Sequence, residues 1–230
     1  RTRDLVEMVP EVDDIFVYEK DDLIRSWKGS KTGCLRDVWT LFSGIRGKRY
    51  DTVFDFTLSR KLGFFLALAG TGHRTGYDYR RRGIFLTDSL PLNGFEGRHV
   101  IEYYLDLLRL SGLDAREDRM QIVPDQARIE KMKAYLRDKL PGSSGPLAAV
   151  IPGGGASWGP RAGQKRWPAE FFSRVAWQMA DEGVNVAVLG DPSEEGLCRE
   201  VAEGAGGRAA FVETGLPLKD YAALLGEFDL

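Results

Sequence analysis

Leu147-Ala-Ala-Val-Ile-Pro-Gly-Gly-Gly-Ala-Ser-Trp-Gly-Pro-Arg-Ala-Gly-Gln-Lys-Arg-Trp-Pro168 is the stretch that decides the fold. Leu147 to Ile151 is a short apolar run, which predicts a buried strand. It stops at Pro152 and opens into Gly153, Gly154 and Gly155. A lysine and an arginine follow, and Pro168 predicts the start of an amphipathic helix. Glycine lets a backbone approach a ligand without a Cβ in the way. A helix start offers unpaired N–H groups and the positive end of the dipole. Lys165 adds a cation beside that start. Strand, glycine loop, cation and helix together suit a bound diphosphate, with Ser157 in the same loop. A plain connector between a strand and a helix is the competing reading, and three glycines with Ser157 and Lys165 exceed what a connector needs.

Outward from that loop the pattern alternates. Helix 169–181, strand 184–189, helix 194–205, strand 209–212 and helix 218–225 follow in order, and Phe228 opens what reads as a further strand. Such alternation predicts a parallel sheet with helices on both faces, binding ligands beyond the carboxyl ends of its strands. The Gly190-Asp191-Pro192-Ser193-Glu194 loop lies at the next strand end. Asp191 as cap, proline at the first helical position and Glu194 two residues on form a capping-box pattern. A carboxylate holding ribose hydroxyls at a strand end is the alternative, and the residues alone leave the two even.

Toward the N-terminus the expected elements are a strand at 15–18, a helix at 35–45, a strand at 51–56 and a helix at 62–69. Short strands at 74–79 and 84–86 follow. A helix at 99–110 carries Val100, Tyr104, Leu107 and Leu108 on one face, and one at 125–140 carries Ile129, Met132, Leu136 and Leu140. Pro141-Gly-Ser-Ser-Gly-Pro146 is a run of turn formers and reads as the domain boundary and hinge. The expected domains are therefore residues 1–141 and 147–230. Asp55 points toward a strand's carboxyl end. Arg74 and Arg80-Arg81-Arg82 form a basic cluster that reads as a solvated face or as a contact for an acidic acceptor or a membrane surface. His99 at a helix start reads as structural.

Bulk composition excludes several classes. A net charge of −2 over 230 residues gives no general attraction to nucleic acid or anionic lipid. Cys34 and Cys198 are too few for a disulfide framework or a zinc site and fit a reducing, cytoplasmic setting. The two histidines, His73 and His99, lack metal-ligand spacing. No apolar run is long enough to span a membrane. The glycine loop matches neither Walker A nor the dinucleotide fingerprint, which argues against an NAD-dependent oxidoreductase.

Six segments in order resemble glycosyltransferase family 9, the ADP-heptose:lipopolysaccharide heptosyltransferases. They are Val9-Pro-Glu-Val-Asp-Asp-Ile-Phe-Val-Tyr18, Lys48-Arg-Tyr-Asp-Thr-Val-Phe-Asp55, Arg74-Thr-Gly-Tyr77, His99-Val-Ile-Glu-Tyr-Tyr-Leu-Asp-Leu-Leu108, Pro152 to Pro168, and Gly190 to Glu194. The resemblance implies an α/β fold of GT-B type, two Rossmann-like domains with parallel sheets facing a cleft, the acceptor mainly on the first and the nucleotide sugar mainly on the second. It implies that Gly154, Gly155, Ser157 and Lys165 meet the diphosphate and that Glu194 holds the ribose, capping as well. Asp55, Arg60 and Arg74 become candidates on the acceptor side.

The implied reaction is inverting and metal-independent, moving heptose or a related sugar from an ADP-sugar to a lipopolysaccharide core or similar lipid-linked saccharide. No cofactor and no nucleic acid are expected, and peripheral contact with the cytoplasmic face of the inner membrane is. The family's Gly-Asp turn, which carries the aspartate base, would lie before Arg1, and its Asp-x-Gly-x-x-His loop just after Leu230. The chain is therefore expected to be a piece cut at both ends and inactive alone. An epimerase of nucleotide sugars on the same fold and a non-catalytic nucleotide-binding module are the alternatives.

Overall fold

The computed structural model describes residues 2–17, 29–116, 121–154 and 166–229. The chain divides into two compact units, one of residues 14–120 and one that joins residues 1–13 to residues 121–230.

The second unit contains helix α1 (Arg3–Val6) and, after the other unit, α5 (Gln126–Lys139), β4 (Leu147–Val150), α6 (Ala169–Asp181), β5 (Asn185–Leu189), a 3-10 turn (Pro192–Glu194), α7 (Glu195–Gly204), β6 (Phe211–Glu213) and α8 (Leu218–Leu225). The first unit contains α2 (Lys31–Lys48), β1 (Thr52–Asp55), α3 (Arg60–Leu68), β2 (His73–Tyr79), β3 (Asp88–Leu92) and α4 (Val100–Leu110). Each unit holds a three-stranded parallel sheet, ordered β1-β2-β3 in one and β4-β5-β6 in the other.

Strand β5 organises the second unit. Val186, Ala187, Val188 and Leu189 are all fully buried. The period-2 alternation of a strand sends them to opposite faces. Val186 and Val188 join Val150, Ala176, Cys198 and Val201 under α6 and α7. Ala187 and Leu189 join Met132, Ala223 and Leu224 under α5 and α8. A continuous apolar run is what a strand covered on both sides requires. Beyond α8, the Asp229 N–H donates to the Leu147 carbonyl at 2.9 Å, but residues 228 and 229 do not form the strand expected to open at Phe228.

The domain boundary differs from the one expected. Helix α5 belongs to the second unit, because its apolar face, Ile129, Met132 and Leu136, finds its cover on that sheet. Buried Asp220 of α8 accepts hydrogen bonds from Arg128 (2.5 Å) and Lys131 (2.6 Å) of α5. The Tyr135 hydroxyl donates to Glu213. Pro141 to Pro146 is a tight connection inside this unit, tied by Ser143 Oγ to Asn185 Oδ1 at 2.6 Å and by Asn185 Nδ2 to the Gly145 carbonyl at 3.2 Å. It is therefore not an interdomain hinge. Turn formers mark a chain reversal, and the nearest uncovered sheet decides where a helix docks.

In the first unit, Tyr77, Leu92, Tyr103 and Leu107 form the core beneath α4. Val100 and Tyr104 are more than a third exposed, and Tyr103, whose hydroxyl donates to the Glu96 carbonyl at 2.6 Å, takes the inward position expected of Tyr104. The strand expected at 84–86 lies instead at Asp88–Leu92, and residues 15–17 form no strand. His99 is the N-cap of α4, with Nδ1 accepting from the Ile101 N–H at 3.3 Å, the structural role read from its position.

Candidate functional site

The loops that follow β4, β5 and β6 converge on a pocket of about 340 Å³. Ile151 and Gly154 come from the first loop, Gly190, Asp191 and Glu194 from the second, Leu216 from the third, and Leu218 and Tyr221 from the start of α8 that follows it. A site beyond the carboxyl ends of parallel strands is what the alternating pattern predicted.

Glu194 ties the first two loops together. Its carboxylate Oε1 accepts from the Gly154 N–H and from Arg166 Nη2, each at 2.9 Å, and Oε2 accepts from the Asp191 N–H at 3.2 Å. The Glu194 side chain is only 2% exposed. The last bond closes a capping box in which the Ser193 N–H donates to Asp191 Oδ1 at 2.7 Å. The Asp191 carboxyl is held below the usual carboxylate range, chiefly by the Ser193 hydroxyl and N–H. The capping role read from the sequence is therefore present, and the same carboxylate lines the pocket.

The glycines sort by what surrounds them. A Cβ on Gly153 would sit 2.1 Å from the Glu194 carboxyl carbon, so that glycine admits Glu194. A Cβ on Gly190 would sit 2.6 Å from Cys198 Sγ. Gly154 has no described atom within 4 Å on its Cβ side. Its N–H is turned to Glu194 and not outward. The anion-facing N–H groups expected of the loop are thus not supplied by Gly154 in this conformation. Gly155, Ser157 and Lys165 lie outside the described residues.

Arg166 is the residue that sequence reasoning passed over. The signal was its place beside Lys165 and before Trp167-Pro168. Its side chain is 29% exposed, and its Nε is buried without a hydrogen-bond partner among the described residues. Trp167 is 49% exposed and stacks on Phe171 at 5.1 Å. Pro168 is the N-cap of α6, one residue before the helix proper. Cys198, next to the pocket, is fully buried, and burial pushes its thiol up to about 11, so it is a packing residue and no nucleophile.

The three acceptor-side candidates do not form one cluster of hydrogen bonds. Asp55 ends β1, is buried, and accepts through Oδ1 from the Thr57 N–H at 2.8 Å and hydroxyl at 2.6 Å. Arg60 opens α3 and is exposed. Arg74 Nε donates to the Phe85 carbonyl at 2.7 Å, and Nη1 donates to the Thr71 carbonyl. It laces the loops beside the start of β2, a structural task. Arg80 and Arg81 take left-handed φ values of 53° and 58° in the turn after β2 and remain exposed. Among the described residues no group of three or more His, Cys, Asp or Glu is placed to hold a metal ion. No described helix is long and apolar enough to cross a membrane.

The pattern of glycosyltransferase family 9 (heptosyltransferase) matches residues 38–230, and the chain belongs to that family. It is 29% identical over 161 residues to lipopolysaccharide heptosyltransferase 2 of Escherichia coli K12, covering 68% of this chain and 45% of that protein. The chain thus spans less than half the length of that relative. Among solved structures, the glycosyl transferase family 9 protein of Veillonella parvula superposes with a TM-score of 0.75 at 20% identity, over 99% of this chain and 62% of that one. The Escherichia coli heptosyltransferase WaaC, solved with ADP-2-deoxy-2-fluoro heptose, gives 0.68 at 18% identity, over 97% and 67%. The fold is accordingly the GT-B type, built here from two Rossmann-like units.

Proposed function

We propose that the intact protein transfers heptose, or a related sugar, from an ADP-sugar to a lipopolysaccharide core or similar lipid-linked saccharide. It does so with inversion and without a metal ion, at the cytoplasmic face of the inner membrane. The observation that carries this reading is the pocket where Gly154 and Glu194 meet, beyond the carboxyl ends of β4 and β5, in a chain of this family. WaaC, solved with an ADP-heptose analogue, supports a nucleotide-sugar donor.

In the proposed reaction the acceptor hydroxyl oxygen attacks the anomeric carbon opposite the leaving group. Its proton passes to a carboxylate acting as general base. The bond from the anomeric carbon to the diphosphate oxygen breaks, and ADP departs carrying the negative charge. Lys165 and the start of α6 oppose that charge, as preorganised donors do. Leu216, Leu218 and Tyr221 give the base an apolar wall. Glu194 accepts a ribose hydroxyl while its bonds to Gly154 and Asp191 keep the two loops in register.

The test is turnover of ADP-heptose by full-length protein. Lys165→Ala should lower kcat/KM by about a hundredfold, the scale of losing one charge-stabilising donor, with an unchanged circular dichroism spectrum. Unaltered kinetics would remove Lys165 from the site. The alternative enzyme class separates by product analysis, since an epimerase changes the donor with no acceptor present.

A further inference from the structure

Tyrosines packed into the cores of this protein give their hydroxyl protons to a neighbour. Tyr77 donates to the Tyr103 carbonyl at 2.7 Å, Tyr103 to the Glu96 carbonyl at 2.6 Å, and Tyr135 to Glu213. Tyr221 does not. Its ring packs against the cluster of Leu189, Ala223 and Leu224, yet its hydroxyl makes no hydrogen bond to a described residue. Nor is that hydroxyl sealed in, because Arg166 Nε is the one buried side-chain N or O atom left without a partner among the described residues. Tyr221 lines the pocket beyond β4, β5 and β6. A phenol that is half-buried, reachable and unpaired at a pocket wall is placed to meet what enters the pocket.

The other polar side chains of the described lining are already engaged. Asp191 Oδ1 accepts from the Ser193 N–H and hydroxyl, and Glu194 accepts from Gly154, Asp191 and Arg166. Both are carboxylates, which accept and do not donate. Ile151, Leu216 and Leu218 are apolar. Tyr221 thus brings the side-chain donor of the described lining. Burial first, and then the nearby Cys198 thiol and Glu194 carboxylate, push its phenol above the ordinary value, so it keeps its proton. The hydroxyl lies in the field of the same carboxylate to which the proposed function gives the ribose. Each ribose hydroxyl has one proton to give and lone pairs to fill. A carboxylate takes the proton and leaves the lone pairs, and a neighbouring phenol can donate to them.

We infer that Tyr221 recognises the ribose of the nucleotide sugar, its hydroxyl donating to one oxygen of the ribose diol while Glu194 accepts a proton from that diol. This rests on the nucleotide-sugar reading of the same pocket. It adds to that reading a residue that tells a ribonucleotide from a deoxyribonucleotide.

The experiment is calorimetric binding to full-length protein, direct or by displacement, comparing ADP with 2′-deoxy-ADP and 3′-deoxy-ADP on wild type and Tyr221→Phe. Tyr221→Phe keeps the ring and should weaken ADP about fivefold, the size of one neutral hydrogen bond, with an unchanged thermal melt. The penalty should vanish for one of the two deoxy nucleotides, the one that lacks the hydroxyl Tyr221 meets. A penalty of equal size on all three puts the effect in the base or in ring packing and overturns the inference, as does no penalty on any. Tyr221→Leu, which also removes the ring's share of the wall, should weaken all three; if it weakens none, Tyr221 is off the site and the inference fails. Wild-type protein that takes up none of the nucleotides sinks the nucleotide-sugar reading itself, a result distinct from ADP binding that is indifferent to Tyr221→Phe.

Discussion

The two units bury their apolar residues very differently. In the unit of residues 121–230 one strand, β5, has four consecutive side chains at zero exposure, with helices over both faces. In the unit of residues 14–120 the 18-residue helix α2 buries only Cys34. Leu35 and Trp39 on that helix are 60% and 65% exposed, and Phe64, Phe65 and Leu68 on α3 are between 42% and 50%. The lesson is that a Rossmann-like pattern of strands and helices does not by itself make a sealed core. Both units hold a three-stranded parallel sheet, but β2 passes to β3 without a helix whereas β5 passes to β6 through α7, and only the latter unit closes its core.

Mutation can break or sharpen this contrast. Leu189→Ala should be the most damaging change, costing about 3 kcal/mol, because it empties a fully buried site between β5, α5 and α8. Hydrogen exchange should then rise across residues 121–229 and leave residues 29–116 as they were; spreading of the loss to both would show that the units unfold as one.

Asp220→Asn comes next, at about 2 kcal/mol, since it weakens hydrogen bonds to two charged partners from a side chain only 2% exposed. Its pH dependence has a definite sign. Lys131 and Arg128 hold the Asp220 carboxyl below its ordinary value, against the opposing effect of burial. The folded pKa is thus lower than the unfolded one, so the stabilisation is complete above the unfolded value, near 3.8, and is lost as pH falls through the folded value. Urea unfolding of wild type and Asp220→Asn should converge in that acid range, and parallel curves throughout would remove Asp220 from the account.

Trp39→Ser should do least, within about 0.5 kcal/mol, as surface substitutions generally do. It should improve the solubility of the isolated chain by taking an aromatic ring off a bare face. A cost of several kcal/mol in a thermal melt would show that this ring is covered in solution.

The second unit was legible in the sequence because its signals are unmixed. An apolar run such as Val186–Leu189 has no other reading between amphipathic helices, and the Asp191-Pro192-Ser193-Glu194 cap appears as written. Strand β3 was missed because Asp88-Ser-Leu-Pro-Leu92 carries no apolar run. Among the described residues it is an edge strand, bonded to β2 alone, and an edge tolerates Pro91. The affiliation of α5 was hidden because a one-sided helix reveals that it will dock and not where. In the site, Glu194 could be seen from local spacing, whereas its bond to Arg166, 28 residues away, is a tertiary fact. Gly153 looked like a ligand's glycine and is a carboxylate's.

Because α5 covers Ala187 and Leu189, the unit built on β4, β5 and β6 cannot be excised at the obvious proline-glycine seam. A piece beginning after Pro146 would leave that face of the sheet wet and strip Asp220 of both its cations. An expressible version has to start upstream of Gln126. It should keep the N-terminal segment of residues 1–13 too, where the Met8 carbonyl accepts from the Val123 N–H at 2.8 Å and Glu7 pairs with Lys219 of α8.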